Sequence, residues 1–178
     1  MKEGLYVGGR LGVEILSRWR PGLSILRPFD KARNLMSTSD QAGLQHPVPA
    51  EGYAGDISPQ LAWQWAQNQQ AVIVDVRSEA ELAWVGFVPG AVPVPWKQWP
   101  GMAINPAFDA GIQAAAQGKK IALLCRSGVR SIAAAKRAQE LGLEAYNILE
   151  GFEGDVDAHG HRGTQGGWRL RGLPWQQN

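Results

Sequence analysis

The chain holds a single cysteine, Cys125, with arginines on either side of a short loop at Arg126 and Arg130. A thiol reacts as its thiolate, so a reactive cysteine needs surroundings that favour negative charge at sulfur. The segment Cys125-Arg126-Ser127-Gly128-Val129-Arg130 offers several. Two guanidiniums bring full positive charge. Gly128 lets the backbone curl, so that the loop amides turn inward as an anion nest. A helix expected to open near Ser131 adds the positive end of its dipole. No histidine base is required on this account, and none lies nearby in the sequence. The bland alternative is an inert buried thiol, and the flanking cations argue against it.

Such a loop demands a strand before the cysteine and a helix after it. Residues 119–124, Lys-Lys-Ile-Ala-Leu-Leu, read as a buried strand running directly into Cys125. Beyond the loop, Ile132, Ala135, Ala138 and Leu141 recur at helical spacing, and Gly142 stops that helix as its C′ residue. Upstream, Ser58-Pro59 is an N-cap followed by a proline at the first helical position, with Leu61 and Trp65 on one face. Residues 71–76, Ala-Val-Ile-Val-Asp-Val, form a second buried strand. Ser78 and Glu81 then make a capping box.

Pro89-Gly90 turns the chain into a short strand at 91–94. Pro93, Pro95 and Pro100 predict an irregular loop over 96–105. Residues 108–116 read as a helix ending before Gly118, and 145–149 as a last strand. This alternation predicts an α/β fold, a mainly parallel central sheet with helices on both faces. Sites in such sheets form at the carboxyl ends of strands, where Cys125 stands.

With 178 residues, 44% of them hydrophobic, the chain is long enough for one domain and a tail. A net charge of +2 gives no reason to expect nucleic acid as a partner. One cysteine excludes an intramolecular disulfide, and a free thiol fits a reducing, cytoplasmic setting. No apolar run approaches the roughly 18–20 residues needed to span a bilayer, so no membrane partner is expected. Arg10, Arg18, Arg20, Arg27 and Arg33 give residues 1–36 a transit-peptide look, which Glu3, Glu14 and Asp30 oppose; Met36 is an alternative start. Residues 37–56 are rich in Ser, Thr, Gln, Gly and Pro and read as a lead-in. The expected organisation is a weakly ordered extension over 1–54 and a folded domain over 55–178. Of the eight tryptophans, Trp63, Trp65 and Trp84 are expected in the core; Trp96, Trp99 and Trp168 are candidate pocket walls.

Cys-Arg-Ser-Gly-Val-Arg-Ser at 125–131 resembles the active-site loop of single-domain sulfurtransferases of the rhodanese-like family. Further motifs of that family follow in order: Asp75-Val76-Arg77, Pro89-Gly90-Ala91, Leu149-Glu150-Gly151, Gly167-Trp168 and Gly172-Leu173-Pro174-Trp175. The resemblance spans residues 55–178. It implies a rhodanese-like fold and a two-step reaction without metal or organic cofactor. Cys125 would take the outer sulfur of a donor such as thiosulfate as a persulfide, then pass it to cyanide or a thiol. Arg126, Ser127, Gly128, Val129 and Arg130 would bind the anionic donor, whose oxygens suit bidentate guanidiniums. Asp75, Arg77 and Ser131 would support the site, the first two as an ion pair bracing the buried strand at 71–76.

Two departures stand out. Gly86-Phe87-Val88-Pro89 replaces the Gly-His that precedes the Pro-Gly turn in many relatives, and residues 154–167 form an insert. The insert is expected near the cysteine loop, where it bears on acceptor choice. Its Asp155, Asp157, His159 and His161 raise a metal reading, but five glycines and no recognised ligand spacing favour a polar loop. Two other functions compete. A cysteine phosphatase or arsenate reductase of related fold has a loop one residue longer; here four residues separate Cys125 from Arg130, which favours the smaller sulfur atom. A sulfur carrier docking on one protein acceptor would use the insert and the extension as contact surfaces.

Overall fold

A computed structural model describes residues 45–178. The expectations for residues 1–44, including the targeting segment and the alternative start, lie outside the described residues. The sheet begins earlier than the expected boundary at 55. Strands β1 (Val48–Ala50) and β2 (Tyr53–Ile57) form an antiparallel edge pair out of what reads as lead-in. In β2, Tyr53, Gly55 and Ile57 are buried alternately with half-buried Ala54 and Asp56. This period of two is too short, and too interrupted by glycine, to stand out in the sequence.

The rest follows the expected rhythm. Helix α1 (Pro59–Gln67) starts where the Ser58 side chain accepts from the Leu61 amide at 3.1 Å. It leads to β3 (Ala71–Asp75) and α2 (Glu79–Val85), where Ser78 and Glu81 close the reciprocal capping box. After β4 (Val92–Pro93) the expected irregular loop contains a small hairpin, β5 (Lys97–Gln98) with β6 (Ala103–Ile104). The flanking prolines hid it. Asn105 anchors it by donating to the Pro95 carbonyl at 2.9 Å, while Trp96 packs edge-on against Phe108. Then come α3 (Phe108–Ala116), β7 (Lys120–Leu124), α4 (Val129–Glu140) and β8 (Ala145–Ile148).

The main sheet runs β1-β2-β8-β7-β3-β4, and every neighbouring pair except β1–β2 is parallel. Side chains alternate across β7 as a pleated strand requires. Ile121 and Leu123 join the cluster beneath α3 and α4, while Ala122 and Leu124 join the opposite cluster with Leu61 and Ala62 of α1. Cys125 continues the first set and so points to the α4 side of the sheet. On the opposite face, Phe152 and Trp168 are fully buried. Trp168 is therefore core, not pocket wall. Trp84 reverses in the other direction: expected in the core, it is 70% exposed, because α2 buries none of its residues. Among the described residues no helix is long and apolar enough to cross a membrane.

Candidate active site

Strand β7 ends at Leu124, and the next residue, Cys125, is 1% exposed. Two donors stand beside it: the Gly128 amide reaches Sγ at 3.1 Å and the Ser131 hydroxyl lies 3.2 Å away. Gly128 makes its contact from a left-handed conformation (φ 89°) that lets the chain turn straight into α4. The helix therefore starts at Val129, two residues ahead of expectation, with its N-terminus beside the sulfur. Of the loop amides expected to face Sγ, Gly128 alone donates to it.

The loop is backed by the segment after β8. Phe152 and Glu153 donate their amides to the carbonyls of Cys125 and Arg126, at 2.8 and 2.9 Å. Gly151 sits so close that a Cβ there would stand 2.5 Å from the Cys125 carbonyl oxygen, so this position admits no side chain. The Leu149-Glu150-Gly151 motif thus has a packing role. The Glu150 carboxylate, buried, receives the Gly167 amide at 2.8 Å and pairs with Arg171, joining the far end of the insert to the C-terminal segment.

Ser131 connects the sulfur to residues remote in sequence. Its hydroxyl lies 2.6 Å from Asn147 Oδ1, Asn147 Nδ2 donates to Asp56 at 2.7 Å, and the Tyr53 hydroxyl donates to the same carboxylate at 2.9 Å. Because a carboxylate only accepts, this order fixes the orientation of the Asn147 amide. Ser131 has one proton for two acceptors, so it serves either Asn147 or the sulfur at any moment. Tyr53, Asp56 and Asn147 lack any local motif. The one signal was Asn147 itself, a polar residue inside the otherwise buried run Ala145–Ile148.

A pocket of about 570 Å³ opens over the loop, and Cys125, Arg126, Ser127, Val129 and Arg130 all line it. Asp75 and Arg77 do not. They form the buried pair expected of them, at 2.6 Å, with Arg77 also donating to the Gly86 carbonyl and lying 4.0 Å over the Phe152 ring. Arg130 needs revision as a donor-binding group. Its guanidinium forks onto Glu81 at 2.7 and 2.5 Å, tying α4 to α2. Burial pushes the Glu81 carboxyl up, but hydrogen bonds from Arg130 and the Ser78 amide outweigh it and hold its pKa at about 2. Sequence reading saw Glu81 only as a capping residue. Arg126 is exposed, and its side chain has no protein partner among the described residues.

The insert reaches the site as expected: its Arg162 lines the pocket, held by a 2.6 Å bond to the Gly154 carbonyl. Asp157 organises the insert, accepting from the His159 and His161 amides and from Thr164. Among the described residues no group of three or more His, Cys, Asp or Glu side chains is placed to hold a metal ion.

The family model for the rhodanese-like domain matches residues 58–158. No curated protein matches the chain. Among solved structures, the M. tuberculosis protein Rv0390 is similar at 45% identity and a TM-score of 0.64, over 71% of this chain and 99% of that one. A rhodanese-related protein from Thermoplasma volcanium aligns at 20% identity and a TM-score of 0.48, over 68% of this chain and 96% of that one. A Rhodopseudomonas palustris protein described as a possible tyrosine phosphatase aligns at 24% and 0.47, over 75% and 100%. The family match covers more than half of the sequence and takes in the whole cysteine loop, and with the close mycobacterial likeness it places this chain in the rhodanese-like domain family.

Proposed function

We propose that the protein is a sulfurtransferase that carries sulfane sulfur on Cys125. The observation behind this reading is the setting of one atom. Cys125 Sγ lies at the floor of a pocket, at a strand end, with the Gly128 amide and the Ser131 hydroxyl aimed at it and the α4 N-terminus alongside. In the first step the Cys125 thiolate attacks the outer sulfur of thiosulfate. A new S–S bond forms, the donor's S–S bond breaks, and sulfite leaves with the electron pair. In the second step a thiophilic acceptor, cyanide or a thiolate, attacks the outer sulfur of the persulfide and returns the Cys125 thiolate. Arg126 neutralises the incoming anion, and Arg130, braced by Glu81, holds the positive end of the loop in place. Four residues between Cys125 and Arg130 suit a sulfur atom better than a phosphoryl group.

Incubation with thiosulfate should raise the protein mass by one sulfur atom, and Cys125→Ser should show no gain. Failure of the wild-type protein to load from any sulfane donor, or hydrolysis of an aryl phosphate that depends on Cys125, would overturn the reading.

A further inference from the structure

The pocket over Cys125 is far larger than a sulfur oxyanion needs. Its volume of about 570 Å³ falls in the range, roughly 300–1,000 Å³, of sites that enclose whole organic ligands. Its outer wall is apolar and aromatic. Trp84, Trp99 and Val129 line it while 70%, 60% and 70% exposed, three large side chains whose exposure the fold itself does not require. Its charge is one-sided. Glu81 is the carboxylate that lines it, and Arg130 and Ser78 already occupy its oxygens. Arg126 and Arg162 face the same space with no carboxylate partner among the described residues. The bond from Arg162 Nη1 to the Gly154 carbonyl holds that guanidinium at the pocket, and its other N–H groups have no hydrogen-bond partner among the described residues.

We infer that the outer pocket is an acceptor site for thiols that carry a carboxylate on a flat apolar body, with Arg162 of the insert as the residue that selects for the carboxylate. The inference rests on the sulfurtransferase reading for its chemistry. The acceptor thiolate attacks the outer sulfur of the Cys125 persulfide. A sulfur–sulfur bond forms to the acceptor, the Cys125 S–S bond breaks, and its electron pair returns to Cys125 as thiolate. The product is the acceptor's persulfide, with no oxidant or reductant consumed. The apolar body lies against Trp84 and Trp99, and the carboxylate meets the arginine fork, which matches carboxylate geometry bidentately.

Binding can be read without any sulfur transfer. The probe is 4-(methylthio)benzoate, an unreactive thioether, compared with its uncharged methyl ester by quenching of tryptophan fluorescence and by calorimetry. The full chain should bind the carboxylate about tenfold more tightly than the ester. In Arg162→Gln that preference should fall close to one, and in Arg162→Lys, which keeps the charge but loses the fork, only part of it should remain. Equal binding of acid and ester by the wild-type protein, or a preference unchanged in Arg162→Gln, overturns the inference whatever Cys125 does. Discharge of the persulfide should follow the same order, 4-mercaptobenzoate ahead of 4-methylbenzenethiol, with the ratio collapsing in Arg162→Gln. Absence of loading from thiosulfate would instead count against the sulfurtransferase reading and leave the binding result standing.

Discussion

At the scale of single residues, the unusual group is Ser131. A hydroxyl with one proton stands between a sulfur at 3.2 Å and an amide oxygen at 2.6 Å. A protonated Cys125 can donate to Ser131 while Ser131 donates to Asn147; a thiolate can only accept, so Ser131 must turn its proton to sulfur. Asn147, held by Asp56, is therefore a positioning residue acting through Ser131. Ser131→Ala should cut the rate of sulfite release from thiosulfate by roughly 10- to 100-fold, in line with loss of one preorganised donor at a developing charge, while leaving the circular dichroism spectrum unchanged. Asn147→Leu should slow the same step and, by removing one hydrogen-bond partner each from Asp56 and Ser131, lower stability by about 2 kcal/mol in urea unfolding. Full activity in both variants would leave the network a packing feature.

At the scale of elements, the tie between α2 and α4 decides how firmly the loop is held. Arg130 and Glu81 are each about one-fifth exposed, so solvent screens their pairing only in part. The Glu81 carboxyl sits at about 2 in the folded protein against an ordinary 4.5, the depressed case. Its stabilising effect is complete above pH 4.5 and is lost as the pH falls through that interval toward 2. Denaturant midpoints measured from pH 6 down to pH 2 should therefore drop in this interval. Glu81→Gln should start lower by about 2 kcal/mol and show a flatter decline, since the titrating group is gone. Equal slopes for both proteins would assign the acid sensitivity to other carboxylates.

At the scale of the whole molecule, the insert is a module closed on itself. Asp155 bridges antiparallel to Gln165, the Gly163 amide returns to the Glu153 carbonyl at 2.8 Å, and Asp157 binds three donors within the loop. Beyond Arg162 at the pocket and the Gly167 amide on Glu150, the fold takes little from it. Replacing residues 156–164 by an Asn-Gly turn should give a folded protein whose thermal midpoint moves by only a few degrees. Collapse of the fold in that variant would show that the insert supports the sheet.

Sequence alone determined what depends on neighbours along the chain. Helix starts were legible because Ser58, Ser78 and Glu81 satisfy amides within four residues of themselves, and Pro59 at the first helical position has no amide to leave unpaired. The strand before Cys125 and the helix after it were legible because apolar periodicity is local, and the proposal of Cys125 as nucleophile starts from its being the one cysteine, placed between them. Tertiary structure decided which distant groups meet. It made Glu81, besides a cap, the partner of Arg130, 49 residues away, and joined Asn147 to Asp56 across 91. It moved Trp84 out to the pocket and Trp168 into the core, a reversal hydropathy cannot foresee because both are equally apolar. Parallel pairing of β2 with β8 and of β3 with β7 brings together segments far apart in sequence, and no residue pattern encodes which side chains will face each other once those strands are adjacent.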